Sequence, residues 1–226
     1  MILTDYHCHI LPEIDDGSDS VETSLSMIET MKNQGVERIV ATPHFYAHRE
    51  KSVESYIEKR RESYEKLVSA EPAIKDIRLG AEVAVEHGIS ELDGLDRLAF
   101  QGTDIIMLEL PYSSYSKWIS EEVYNVSCRY GLKVILAHIH RYINFYTKSQ
   151  MSEILDMNVI FQVNNEAFSS FGERRFVKRL IKDGYPVVFG SDSHNMTSRP
   201  PNWDTLLKKA DTETIEKSCA LLDKYC

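Results

Sequence analysis

The sequence predicts an α/β fold, a barrel of seven β/α units in one domain. Three observations lead there. Strand-like and helix-like segments alternate along the 226 residues, the strands are short and apolar, and potential metal ligands recur at the strands' C-terminal ends. Strands such as Val134-Ile-Leu-Ala137 and Val187-Val-Phe-Gly190 lack the two-residue alternation of a half-exposed sheet, as parallel strands covered on both sides do. An open doubly wound sheet has the same local periodicity. The ligands favour the barrel, because a closed ring brings all strand ends to one mouth and a flat sheet spreads them along an edge.

The first strand spans 2–6. Asp19, with Glu22 three residues on, matches a capping box that opens a helix; Val21, Leu25, Ile28 and Met31 mark its apolar face and Gly35 its end. A strand over 36–42, a helix near 52–70, a strand over 77–83, a helix over 89–99, a strand over 104–110 and a helix over 116–130 follow. The alternation continues with strand 132–137, helix 149–157, strand 159–164, helix 172–182, strand 186–191 and a helical tail from Trp203. No linker or low-complexity tract interrupts it, so residues 1–226 read as one domain.

A hydrophobic share of 42% and a charged share of 27% are those of a soluble globular protein. The net charge of -9 argues against a nucleic-acid surface, which needs clustered Lys and Arg. No apolar run approaches the roughly 18 residues that cross a bilayer, so direct membrane insertion is not expected. The cysteines (Cys8, Cys128, Cys219, Cys226) lack CxxC spacing, and Met1 leads straight into a strand-like segment, which together point to the reducing cytoplasm.

The chemistry sits at the strand ends. His7-Cys8-His9 ends the first, with Asp16 in the loop beyond; a strand turns alternate side chains to one face, so the two imidazoles form a pincer and Cys8 faces away. Thr42-Pro-His44, Gly80-Ala-Glu82, Glu109, Ala137-His138 and Ser191-Asp192-Ser-His194 end later strands. Singly, each has an ordinary reading: a barrel-end carboxylate is often a helix cap, and Asp15-Asp16-Gly17 is a common turn. Jointly, nine imidazoles and carboxylates at one mouth exceed the needs of one ion. Without thiolates they suit manganese, iron or zinc in catalytic service, two or three ions sharing a carboxylate and acting at phosphorus. Arg141 and Arg199, in loops after the fifth and seventh strands, have the planar fork that fits phosphate oxygens, although exposed loop arginines are common. His48 and His87 read as surface histidines, and His140 as a neighbour of the site that is not a ligand. None of the cysteines begins a Cys-x5-Arg phosphatase loop, so a thiolate nucleophile is not expected.

These motifs resemble the polymerase-and-histidinol-phosphatase (PHP) superfamily of metal-dependent phosphoesterases. Within it, His7-Cys-His-Ile-Leu-Pro-x-Ile-Asp-Asp-Gly17, His138-Ile-x-Arg-Tyr142, Gln162-Val-Asn164 and Ser191-Asp-x-His-Asn195 with Arg199-Pro-Pro are similar to the manganese-dependent protein tyrosine phosphatases of capsule and exopolysaccharide loci. The resemblance runs from about residue 3 to residue 203. It implies a distorted seven-stranded (β/α)7 TIM-like barrel of PHP type with three metal ions, manganese first and iron or zinc as alternatives. By similarity His7, His9, Glu82 and Asp192 hold one ion. Glu82, Glu109 and His138 hold a second, and Asp16, His44 and His194 a third, while Arg141 and Arg199 grip the phosphoryl group. His140 stands where an acidic residue is usual, which puts a carboxylate role at that place in doubt. The implied substrate is the phosphotyrosine tail of a bacterial tyrosine autokinase that regulates polysaccharide export. The expected mechanism is direct hydrolysis by a metal-bridging hydroxide without a phosphoenzyme. Leaving-group protonation is left unassigned, tyrosinate being a good enough leaving group for a metal-bound water or Asp16 to suffice. Two rival readings share the metal grammar: a histidinol-phosphate or other small-molecule phosphatase, and a catalytically inactive regulatory module. Basic loops for a peptide are not evident in this acidic chain, and the oligomeric state is left open.

Overall fold

Alternating strands and helices give parallel pairing, since each crossover returns the chain in the same direction. A computed structural model describes residues 2–224. Its elements are β1 (Thr4–Cys8), α1 (Val21–Asn33), β2 (Arg38–Ala41), β3 (His44–Phe45), α2 (Val53–Ser69), β4 (Asp76–Leu79), β5 (Glu82–Ala84), β6 (Ile105–Glu109), α3 (Lys117–Tyr130), β7 (Lys133–Leu136), α4 (Lys148–Leu155), β8 (Ile160–Asn164), α5 (Phe171–Lys182), β9 (Val187–Gly190), α6 (Trp203–Leu207) and α7 (Thr212–Lys224). All pairings are parallel and fall into two sheets, β1-β2-β4 and β3-β5-β6-β7-β8-β9. A bridge between Cys8 and Ser193 joins the first sheet to the end of the second.

The strand expected over 77–83 is divided, and the one expected over 36–42 is followed past Pro43 by a further short strand, which gives nine strand segments among the described residues where seven were expected. Pro43 separates β2 from β3 because proline has no N–H for the ladder. Gly80 separates β4 from β5 at a close approach, where an added Cβ would lie 2.6 Å from the Phe100 ring. The lower halves pair towards β1 and the upper halves towards β6.

Side chains alternate between two cores. Ile106 and Leu108 of β6 face the main cluster beneath the helices, and Ile105 and Met107 face a second one with Tyr6, Val40, Ile135 and Val188. The α7 helix closes that second cluster: Leu222 packs into it, and the Tyr6 hydroxyl donates to the Ser218 carbonyl at 2.9 Å.

Other departures are local. The cap of α1 is Ser20, whose hydroxyl oxygen accepts from the Thr23 N–H at 3.1 Å; Asp19 instead accepts from the Thr23 hydroxyl. Its buried face is Ser24, Met27, Ile28 and Met31, which leaves Val21 and Leu25 half-buried. The helix expected over 89–99 is two 3-10 turns, Ile89–Glu91 and Leu95–Leu98, broken where Gly94 takes φ 77°. The tail from Trp203 is two helices rather than one. Cys226, read as helical, lies outside the described residues.

Candidate metal centre

All nine sequence-nominated ligands meet at the C-terminal ends of the strands. Glu82, buried, is the hub: its Oε2 lies 3.1 Å from His7 Nε2, 3.3 Å from His9 Nε2 and 3.1 Å from His44 Nδ1, and its Oε1 lies 2.8 Å from His138 Nε2. Asp192 Oδ1 lies 3.6 Å from His7 Nε2 and 3.5 Å from His9 Nε2. Glu109 Oε1 is 3.5 Å from His138 Nε2. On the outer side Asp16 Oδ1 is 3.5 Å from His44 Nε2 and 3.6 Å from His194 Nε2. The donor atoms fall into three groups with shared members: His7, His9 and Glu82; His44, Glu82 and Glu109; and His9, Asp16, His44 and His194. His44 is thus in reach of two groups, whereas the sequence placed it in one.

The residues fit metal ions because their hydrogen bonds leave lone pairs facing one another. His7 Nδ1 meets Gln162 Oε1 at 3.1 Å and His9 Nδ1 meets Asp15 Oδ2 at 2.7 Å. Both partners only accept, so each neutral imidazole carries its proton on Nδ1 and offers a lone pair at Nε2. Those two Nε2 atoms are 3.2 Å apart, a contact that a shared cation relieves. His44 Nδ1, Glu82 Oε2 and His194 Nε2 are buried with no hydrogen-bond partner.

Charge points the same way. Burial pushes the Glu82 and Asp192 carboxyls up, but the His7 imidazole beside both holds them well below the usual carboxylate range, with His138 adding at Glu82 and Arg141 at Asp192. For His138, burial lowers the value, and the Glu109 and Glu82 carboxylates outweigh it and raise it to about 9. His194 is pushed down to about 3 by burial and by the neighbouring His9 charge. A buried pool of carboxylate charge calls for cations.

The backbone is shaped to present these groups. His138 (φ 29°) and Asp192 (φ 49°) are non-glycine residues at positive φ, a conformation that costs about 1–3 kcal/mol and concentrates at functional sites. Gly190 lets β9 approach β1, since an added Cβ would lie 2.7 Å from the His7 backbone N.

Several positioning groups were given no role from the sequence. Asp15, dismissed as a turn residue, also accepts from the His44 N–H at 2.8 Å and so ties the first loop to the second. Strand β8 contributes no ligand, yet Gln162 Oε1 accepts from the His138 N–H at 2.6 Å, and its Nε2 donates to Asn164 Oδ1 at 2.9 Å. Asn164 in turn donates to Asp192 Oδ2 at 2.8 Å. Two inward polar residues at i and i+2 in an apolar strand were the available signal. The Tyr112 hydroxyl sits 3.1 Å from His138 Nδ1.

Arg141 and Arg199 converge on Asp192 Oδ2, at 2.9 Å and 2.6 Å, and both line a cleft of about 860 Å³ that opens over Glu82, Glu109 and His138. Glu166 also holds Arg141, at 2.9 Å. Tyr112, Trp118 and Phe145 give the cleft an aromatic wall. Cys8 points away, with its thiol against the Val40 carbonyl in the core. His48 pairs with Glu86 and is exposed; His87 stacks on Trp118 at the rim of the cleft. His140 is buried beside the site, 3.9 Å from Glu166 and not among the grouped donors.

Residues 3–220 match the family model for capsular polysaccharide synthesis, CpsB/CapC. The chain is 29% identical over 229 residues to the tyrosine-protein phosphatase CpsB of Streptococcus pneumoniae, with 92% of this chain and 90% of that protein covered. It is 25% identical over 203 residues to the tyrosine-protein phosphatase YwqE of Bacillus subtilis, covering 87% and 79%. Among solved structures, one described with YwqE of B. subtilis and CpsB of S. pneumoniae as metal-dependent tyrosine phosphatases superposes with a TM-score of 0.80. It is 21% identical, over 99% of this chain and 95% of that one. The lactonase Lmo2620 of Listeria monocytogenes shares the fold at a TM-score of 0.62 and 12% identity, covering 99% and 88%. No helix among the described residues is long and apolar enough to cross a membrane.

Proposed function

Because the chain belongs to the CpsB/CapC family of capsular polysaccharide synthesis, we propose that it is a metal-dependent phosphatase acting on protein phosphotyrosine. One observation carries the reading: a buried carboxylate, Glu82, shared by four imidazoles, with two arginines beside it at the floor of an aromatic-walled cleft. The fold is read as a single domain, the two sheets forming one distorted seven-stranded barrel in which β3 continues β2 and β5 continues β4.

We assign three ions, manganese first. His7, His9, Glu82 and Asp192 hold one; Glu82, Glu109 and His138 the second; Asp16, His44 and His194 the third. Such ions supply Lewis-acid charge and lower the pKa of a water for attack on phosphorus. The chain's own residues do the rest. Glu82 and Asp192 keep the donor atoms of four strands in one volume, and Asp15 and Gln162 hold the His9 and His7 rings with Nε2 turned inward. Arg141 and Arg199, anchored on Asp192, are placed to take phosphoryl oxygens as negative charge builds. Among the chain's own groups, the exposed Asp16 side chain is the candidate to return a proton to the departing tyrosinate oxygen. The physiological substrate we assign is the phosphotyrosine tail of a bacterial tyrosine kinase controlling polysaccharide export, met in the cytoplasm.

The test is an assay of protein loaded with Mn²⁺ on a phosphotyrosine peptide and on histidinol phosphate, with and without chelator. Chelator-sensitive hydrolysis of the peptide with little turnover of histidinol phosphate is expected. The opposite preference would replace the substrate, and activity on neither would end the phosphatase reading.

A further inference from the structure

The sequence shows no basic loop for a peptide, but helix packing collects a basic face. Along α5, Arg174, Arg175, Lys178 and Lys182 follow Phe171 at intervals of three and four residues, which places all five on one side of the helix. The opposite side, through Val177 and Leu180, is buried. Arg179 pairs with Asp183 at 3.4 Å; among the described residues no carboxylate lies within ion-pair distance of the other four cations. Phe171, 75% exposed, lies with Arg174, Arg175 and Lys178 around a depression of about 390 Å³. In a chain of net charge -9 this is a local reversal of sign. The first turn of the helix reaches the catalytic cleft, since Glu173, on the side opposite the cations, lines that cleft beside Arg141 and Arg199.

We propose that this face of α5 is a docking surface for acidic residues flanking the phosphotyrosine of the protein substrate. The inference rests on the phosphatase reading and adds a specificity determinant to it. The span fits. From Glu173 to Lys182 the helix rises about 14 Å, the length of roughly four extended peptide residues. A substrate anchored by its phosphate at Arg141 and Arg199 that rounds the first turn of α5 lays the next four or so residues along the cations. Charge attraction of this kind acts on encounter and on KM, and leaves the chemical step alone. A lipid surface fits less well: the helix turns its apolar face to the core and exposes one aromatic ring among the charges.

The experiment compares the metal-loaded parent with R174E/R175E/K178E on three substrates: a phosphotyrosine peptide flanked by Asp and Glu, the same peptide flanked by Ser and Gly, and p-nitrophenyl phosphate. For the acidic peptide, KM in the variant should rise about 10-fold, the product of three exposed charge contacts, with kcat unchanged. Raising salt should weaken the parent's preference for that peptide. The other two substrates should be turned over as by the parent, which also shows that the variant is folded. A Lys-flanked peptide should become the better substrate of the variant. Equal KM values for the acidic peptide would overturn the docking surface alone. So would charge-dependent binding of the parent to vesicles of anionic lipid without any peptide preference, in favour of a membrane. Failure of the parent on every aryl phosphate would overturn the phosphatase reading and the docking surface with it.

Discussion

Replacing Gln162 by leucine tests whether a strand that supplies no ligand nonetheless builds the metal site. The side chain is fully buried, and the substitution keeps its approximate volume while removing three hydrogen bonds: those to the His7 ring, the His138 N–H and Asn164 Oδ1. At about 1.5 kcal/mol for each buried group left unpaired, the loss is about 4–5 kcal/mol. Burying leucine offsets about 2 kcal/mol of it. The metal-free protein should therefore lose about 2–3 kcal/mol, which for a chain of this size lowers Tm by roughly 5–10 °C. Freed of its partner, the His7 ring loses the contact that turns Nε2 inward, and the affinity for metal should fall by about 10–100-fold. Thermal unfolding in chelator gives the first quantity, and metal content after dialysis against graded Mn²⁺ the second. Hydrolysis should recover as Mn²⁺ is raised, because no group that touches substrate has been removed. A variant with parental Tm in chelator and parental metal content would refute the positioning role of β8.

Asp15→Asn should leave the fold intact but weaken metal retention about 10–100-fold, because the anionic acceptor behind His9 is lost; elemental analysis after gel filtration checks it. Arg141→Ala and Arg199→Ala should each lower kcat/KM on an aryl phosphate by about 10²-fold, with lysine restoring only part of it, and parental rates in either would remove that arginine from the phosphate site. The Glu122 carboxyl accepts from the Gly88 and Ser90 N–H groups at 2.8 and 3.0 Å. Burial raises its pKa, but these bonds outweigh it and hold the carboxyl below the ordinary glutamate value of 4.5. A depressed folded-state value means the stabilisation is full above the unfolded value and fades as pH falls through the folded one. The stability gap between the parent and Glu122→Gln, measured by urea unfolding, should accordingly be widest near neutrality and close below pH about 4.

The candidate metal ligands were legible because ligand chemistry is written in residue type and in the two-residue period of strands. His7 and His9 had to share a face, and Asp192 and His194 to end a strand, wherever the strands were placed. Gln162 and Asn164 stood out as a motif without a role, since an amide in an apolar strand names no partner until the fold brings His7, His138 and Asp192 around it. Helix 89–99 failed because its apolar spacing outweighed the turn chemistry of Asp93-Gly94, and Gly94 takes the left-handed conformation instead. Pro43 and Gly80 are local signals, but only the packing of Phe100 and the pairing of His44 with Glu82 decide that the strands stop and restart there.

By itself, then, the sequence determined the alternation of strand and helix and the set of candidate donor atoms, both properties of residue type at short range. The tertiary structure decided what depends on long-range contact. It set Glu82 among four imidazoles, placed His138 and Asp192 at positive φ, and anchored two arginines on one carboxylate oxygen. It also gathered the α5 cations onto one outward face, because burial of Val177 and Leu180 leaves them no other side to occupy.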